Sequence, residues 1–200
     1  MKNTIVYFLL AVCLMTGTSF SFLSKSSNSV SIKQEKGKIN AVDTFPVPPA
    51  TKNMLFYVQR THNTNTIVYD LNYNKDSTLN RTKPVHFYWI RYADGGGKQE
   101  LSTIQRKYAY GLNAVCIDTV KSIYKLNFVS YKKRDIFLIR SSKTSNSYKA
   151  CITINNKLAY LHRVFAQIEG GTFWVPHITY VELSGYDISS GKAVSERIIP

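Results

Sequence analysis

The side chains best suited to chemistry in this chain are three arginines and the polar and aromatic residues beside them: Gln59-Arg60, Trp89 with Arg91, and Gln105-Arg106. A guanidinium presents a planar fork of donors that matches a carboxylate or phosphate through two parallel hydrogen bonds. Convergence of Arg60, Arg91 and Arg106, with Trp89 as an apolar wall and Gln105 as a further donor, would make a cationic patch for an anionic ligand. The competing reading lays each arginine along apolar surface with its head in water or on a nearby carboxylate. Arg140 repeats the pattern at the end of a later strand.

Other constellations carry less. Asp94-Gly95-Gly96-Gly97-Lys98 suggests a phosphate loop, but Tyr92 stands where the first glycine of that motif belongs and Gln99 follows Lys98 in place of Ser or Thr. An anion contact near Gly97 and Lys98 is the most this turn offers. His62, His86, His162 and His177 have no partner at metal-ligand spacing, so neither a metal nor a cofactor is expected. His62 lies in a turn with Asn63 and Asn65, a few residues ahead of Asp70, and these two are the best pair for an alternative hydrolytic role on a glycan or ester. His86 and His177 fall within strands as structural groups. The acidic residues are scattered with no acid/base couple, and there is no Gly-x-Ser-x-Gly elbow. No catalytic residue is assigned, and binding is favoured over catalysis.

The elements that must position these groups are mostly strands. Short runs rich in aromatic and β-branched residues predict strands over 54–60, 66–71 and 85–92. Further strands are predicted over 114–120, 123–131, 135–140, 147–154, 157–167, 173–183 and 192–198. The strand at 85–92 carries bulky residues on both alternating sets, which implies cover on both faces. The triple glycine is read as a hinge into the chain's one short amphipathic helix. Leu101, Ile104 and Tyr108 form its apolar stripe, Gln99, Thr103, Arg106, Lys107 and Tyr110 lie away from it, and Gly111 ends it. Local turns imply sequential antiparallel pairing, hence a meander forming a barrel-like or strongly curved sheet, with a two-sheet sandwich as the alternative.

The N-terminus has Lys2, an apolar run of eleven residues from Ile5 to Met15, and small or polar residues through Ser21. This is the layout of a secretory signal peptide over 1–21, too short to span a membrane. Val12 fits a lipobox poorly, so lipid anchoring through Cys13 is disfavoured. A polar, proline-containing tether over 22–52 then leads to a single domain over 53–200. Cys116 and Cys151 remain as a pair that either bridges or stays reduced. A formal charge of +14 favours anionic partners. For an exported chain these are lipid head groups or acidic glycans rather than nucleic acid.

Several segments carry a resemblance. They are Leu55-Phe56-Tyr57-Val58-Gln59-Arg60, Asn63-Thr64-Asn65-Thr66-Ile67-Val68-Tyr69, Pro84-Val85 with Tyr88-Trp89-Ile90-Arg91, and Ile104-Gln105-Arg106-Lys107 with Ala109-Tyr110-Gly111. Together they resemble a family of exported bacterial proteins known only as a domain of unknown function, from about Asn53 to the C-terminus. The resemblance implies a bacterial, extracytoplasmic origin and a single domain, and transfers no functional residue. The expectation is a cell-envelope binding domain for an anionic or amphiphilic ligand, periplasmic, outer-surface or secreted, with an envelope hydrolase and an interaction scaffold as the alternatives.

Overall fold

The structure is a computed structural model that describes residues 45–142, 146–171 and 176–200. The expected signal peptide and the first part of the expected tether lie outside the described residues.

The strands are β1 (Met54–Arg60), β2 (Asn63–Leu71), β3 (Val85–Arg91), β4 (Gly97–Glu100), β5 (Leu112–Asp118), β6 (Ile123–Phe128), β7 (Tyr131–Arg140), β8 (Tyr148–Ile154), β9 (Lys157–Gly171), β10 (Pro176–Asp187) and β11 (Ala193–Ile198). One α-helix, α1 (Thr103–Tyr108), sits between β4 and β5. Nine strands form a strongly curled half-barrel in the order β4-β3-β2-β1-β9-β8-β7-β6-β5, and β10 and β11 branch from β9. The chain is thus the mostly β, strongly curved sheet with one short helix that its patterning suggests.

The topology turns on β9. Its first residues pair with β8, and Arg163 to Ala166 pair with β1, while β10 runs opposite both partners. β8 and β1 therefore share one edge of β9, and the sheet divides there into two wings, β1–β4 and β5–β8. Within each wing the pairing is antiparallel, but β1 meets β9 in parallel, Val58 opposite Val164.

Alternation along each strand decides what the wings bury. Phe56, Ile67, Tyr69 and Trp89 from one wing meet Leu126, Ile136, Leu138 and Ile152 from the other in a single core. Phe56 and Tyr69 stack at 4.5 Å, and Phe128 stands edge-on to them at 6.1 and 5.8 Å. These are favoured aromatic geometries. The opposite set, Tyr57, Val68, Tyr88 and Ile90, forms a second buried cluster on the outer face, so β3 is covered on both sides. There Gln59 Nε2 donates to the Pro46 carbonyl at 2.8 Å and Phe45 meets Phe165 edge-on, laying the segment before β1 against the sheet.

The region around the triple glycine differs from expectation in several ways. Gly95 and Gly96, at φ of 85° and 81°, turn β3 back into β4, so the glycines make a strand-to-strand turn and no helix begins there. The helix is six residues long and starts after Ser102, whose hydroxyl accepts from the Gln105 N–H while the Gln105 side chain accepts from the Ser102 N–H. That capping box fixes which face turns inward. Gln105 is buried, Ile104 and Tyr108 are exposed at 54% and 44%, and Tyr110, expected outside, is buried. The helix ends at Tyr108 with Ala109 as its C-cap, ahead of Gly111, which lies in the following connection without a left-handed φ; a Cβ there would sit 1.9 Å from the Arg106 carbonyl oxygen. Three bonds tie this connection to the wings: Tyr69 Oη to the Tyr110 carbonyl, Ser130 Oγ to the Ala109 carbonyl, and the Val129 N–H to the Gly111 carbonyl.

Cys116 is exposed on β5 and Cys151 buried on β8, and both are free. β6 and β7 lie between them, a separation of about 14 Å at ordinary strand spacing, beyond the reach of a disulfide.

Candidate ligand-binding groove

β4 covers only part of β3. The ladder between them runs from Tyr88 to Arg91, so Val85, His86 and Phe87 have no strand on that side among the described residues. Across the gap, β5 pairs only with β6 among the described residues. Between these strands, walled by α1, lies a groove of about 450 Å³. Its size is that of a small-ligand site. Phe87, Leu112 and Val129, backed by the buried Leu126, give it an apolar floor, and Lys83, His86, Arg106 and Lys107 stand among Asn72, Thr82 and Asn113 on its walls.

Arg106 is held firmly. Its guanidinium lies 5.3 Å from the centre of the Phe87 ring, its Nε donates to the Leu101 carbonyl at 2.9 Å, and it pairs with the Glu100 carboxylate. The other Glu100 oxygen meets His86 Nε2 at 2.9 Å. One carboxylate therefore braces β3, β4 and α1 together, and it is outnumbered by Lys83, Arg106 and Lys107. Lys83 and Lys107 have no ion pair among the described residues, and Lys107 lies over the Tyr108 ring. The rim is cationic.

The residues singled out in the sequence divide between places. Trp89 Nε1 donates to Gln105 Oε1 at 3.3 Å, a buried bond that anchors α1 to β3. Arg60 and Trp89 line a separate interior pocket of about 20 Å³ with Tyr110. Arg91 pairs with Asp94 at 2.6 Å, at the end of β3 away from Phe87 and Arg106. About 13 Å of strand separates those two positions. Arg106 alone of the three arginines reaches the groove. Lys83, Lys107 and Asn113 were not singled out, because the groove forms between strands distant in sequence and no local pattern marks it.

His62 and Asp70 do not meet. His62 is exposed in the left-handed β1–β2 turn, and Asp70 is near the far end of β2, about 26 Å away along the strand. Asp70 instead accepts from Tyr88 Oη at 3.0 Å, with Lys98 over the Tyr88 ring. Its Oδ1 is buried without a hydrogen bond, and burial raises its carboxyl above the usual range. Burial, followed by the Asp70 charge, pushes the Tyr88 hydroxyl well up. His177 Nδ1 lies 3.0 Å from the Glu169 carbonyl oxygen, a structural contact.

Another cavity, of about 70 Å³, lies among Val58, Ile152, Leu161, Val164 and Leu183, with Arg134 at its edge bonded to Glu196. It is an apolar packing void rather than a ligand site. Among the described residues no group of three His, Cys, Asp or Glu could hold a metal, and no helix is long and apolar enough to cross a membrane.

Fold and groove define a β half-barrel of basic charge with a cleft between its open edges. The family described as Domain of unknown function (DUF4833) matches residues 56–197, and the chain belongs to it. No curated protein and no solved structure matches the chain.

Proposed function

We propose that this chain is an exported, non-enzymatic binding domain of the bacterial cell envelope whose groove holds an anionic, amphiphilic ligand. The observation that carries the reading is the pairing of an apolar floor (Phe87, Leu112, Val129) with a rim of Lys83, Arg106 and Lys107. An apolar body settles on such a floor and gains about 25 cal/mol per Å² removed from water. Its charge meets cations at the edge of a low-dielectric wall. Export is supported by the layout of residues 1–21, and the charge of +14 suits envelope polyanions.

Isothermal titration with dodecyl phosphate and with an acidic oligosaccharide tests the reading. One of the two should bind, and Lys83→Glu with Lys107→Glu should weaken it by about tenfold or more, since each change reverses a charge at the rim. Equal binding by the variant, or none by the parent, would overturn the assignment.

A further inference from the structure

The two walls of the groove are open strand edges, and their hydrogen-bonding directions can be worked out. In an antiparallel ladder, bonded and non-bonded pairs alternate. The Val129 N–H donates to the Gly111 carbonyl, which makes 111 and 129 a bonded pair in the β5–β6 register. Asn113 and Val115 then bond to β6, and the N–H and C=O groups of Leu112, Ala114 and Cys116 point to the open side. The Asn72 N–H donates to the Pro84 carbonyl, so the same count on β3 turns Val85 and Phe87 toward the groove. Backbone groups on both walls face the space that the cationic rim surrounds.

The β5 edge also lacks the usual protection. Exposed edges are normally blunted by lysine, proline or a bulge. The strand Leu112-Asn113-Ala114-Val115-Cys116-Ile117-Asp118 has no lysine, arginine or proline, although the chain carries 26 basic residues, and its only bulge is at the far end, between Cys116 and Asp118. Val115 and Ile117 are exposed at 60% and 52%.

Building on the reading above, we propose that the ligand of this groove is an extended peptide segment with alternating apolar and acidic side chains, which adds a strand to the free edge of β5. Strand addition draws affinity from main-chain bonds and selectivity from alternate side chains. In an added strand every second side chain faces the floor of Phe87 and Leu112, and the intervening carboxylates reach Lys83, Arg106 and Lys107. The same cations repel a second copy of this chain, which favours a foreign acidic segment over self-pairing. A small amphiphile would use the floor and rim but leave the backbone edge idle.

The test uses the full mature chain and an acetylated, amidated nonapeptide alternating glutamate and valine. The peptide should bind and should slow amide exchange at Leu112, Ala114 and Cys116. Methylating its backbone nitrogens on one edge should abolish binding, and exchanging glutamate for lysine should do the same. Ala114→Pro removes an edge donor without touching the β5–β6 ladder, and should weaken the peptide at least tenfold. Equal binding of the methylated peptide, or no protection at β5, would overturn the proposal. Binding of dodecyl phosphate or the acidic oligosaccharide without the peptide, sensitive to Lys83 and Lys107, would overturn strand addition and leave the anionic-groove reading intact, whereas binding of none of the three would remove both. Protection of β5 that rises with protein concentration and needs no peptide would replace the foreign segment with a second copy.

Discussion

The hydroxyl of Tyr69 in β2 donates a 2.7 Å hydrogen bond to the carbonyl oxygen of Tyr110, two residues beyond α1, and both residues are buried. This bond fastens the first wing to the connection that leads into the second. Tyr69→Phe keeps the stacked ring and removes the donor from a buried carbonyl. The expected loss is about 1–3 kcal/mol, read from equilibrium urea unfolding. An unchanged midpoint would show that the bond contributes nothing net.

Gly111 and Gly95 should respond differently to alanine. At Gly111 the new Cβ collides with the Arg106 carbonyl oxygen, which is backbone and cannot move aside cheaply. At Gly95 the space is open and only the φ of 85° resists a side chain. We expect more than about 2 kcal/mol for Gly111→Ala and about 1 kcal/mol for Gly95→Ala, compared by thermal melting.

Asp70 gives a pH signature. Burial raises its folded pKa above the ordinary 3.8, so the ionised form is penalised in the folded state. That penalty is complete above the folded pKa and disappears below the unfolded one. Asp70→Asn keeps an acceptor for Tyr88 and should raise the urea midpoint at pH 7. The gain should close by about pH 3. A variant less stable than the parent at pH 7 would show that the carboxylate is paid back by Lys98 and Tyr88.

Glu196 has the opposite sign. Hydrogen bonds from Arg134 and from the Asn155 N–H, in that order, hold its carboxyl below the ordinary 4.5. Its contribution is present above 4.5 and lost as pH falls through the lower folded value. Glu196→Gln should therefore destabilise the chain at pH 7 and match the parent in acid. Parallel curves at every pH would rule out the ionised pair as the cause.

The two thiols should be told apart by alkylation. Cys116 is exposed, whereas Cys151 is buried and its thiol is pushed up to about 11 by burial. Because the thiolate is the reactive form, iodoacetamide at pH 8 should modify Cys116 in the native protein and reach Cys151 only after unfolding. Peptide mass mapping reads both sites. Equal rates would mean that the β8 position opens readily.

Most of the sheet was legible from local pattern. β1, β3, β8 and β11 fall within a residue or so of where alternation and turn residues put them, because each has one face in the core. β4 leaves no sequence signature, since Gly97-Lys98-Gln99-Glu100 is exposed throughout and has no apolar residue to give it a period. The inward face of the helix departs from its apolar stripe because the capping box and the Trp89 bond turn the polar Gln105 inward, which a hydrophobic count cannot register. Arg106 was picked out for its chemistry. Its neighbours Lys83 and Asn113 were not, since only the meeting of two wings makes them neighbours.

The parallel pairing of β1 with β9 governs the order in which the chain gains structure. Thr61 Oγ donates to the Ile168 carbonyl, and the Ile168 N–H returns a bond to the same hydroxyl across 107 residues of sequence. Closing so long a loop costs chain entropy before any contact repays it. In the sheet ladder, strands β5 to β11 pair with their sequence neighbours, apart from the β9–β1 ladder, so that meander assembles from local pairings, and the β1–β4 sheet waits for β9 with an open edge. Refolding followed by tryptophan fluorescence should accordingly take on the order of milliseconds to seconds, the range of domains dominated by distant pairings. The slow step that unites the wings is also the one that brings Phe87 opposite Leu112, and a nascent chain has no groove until it is over.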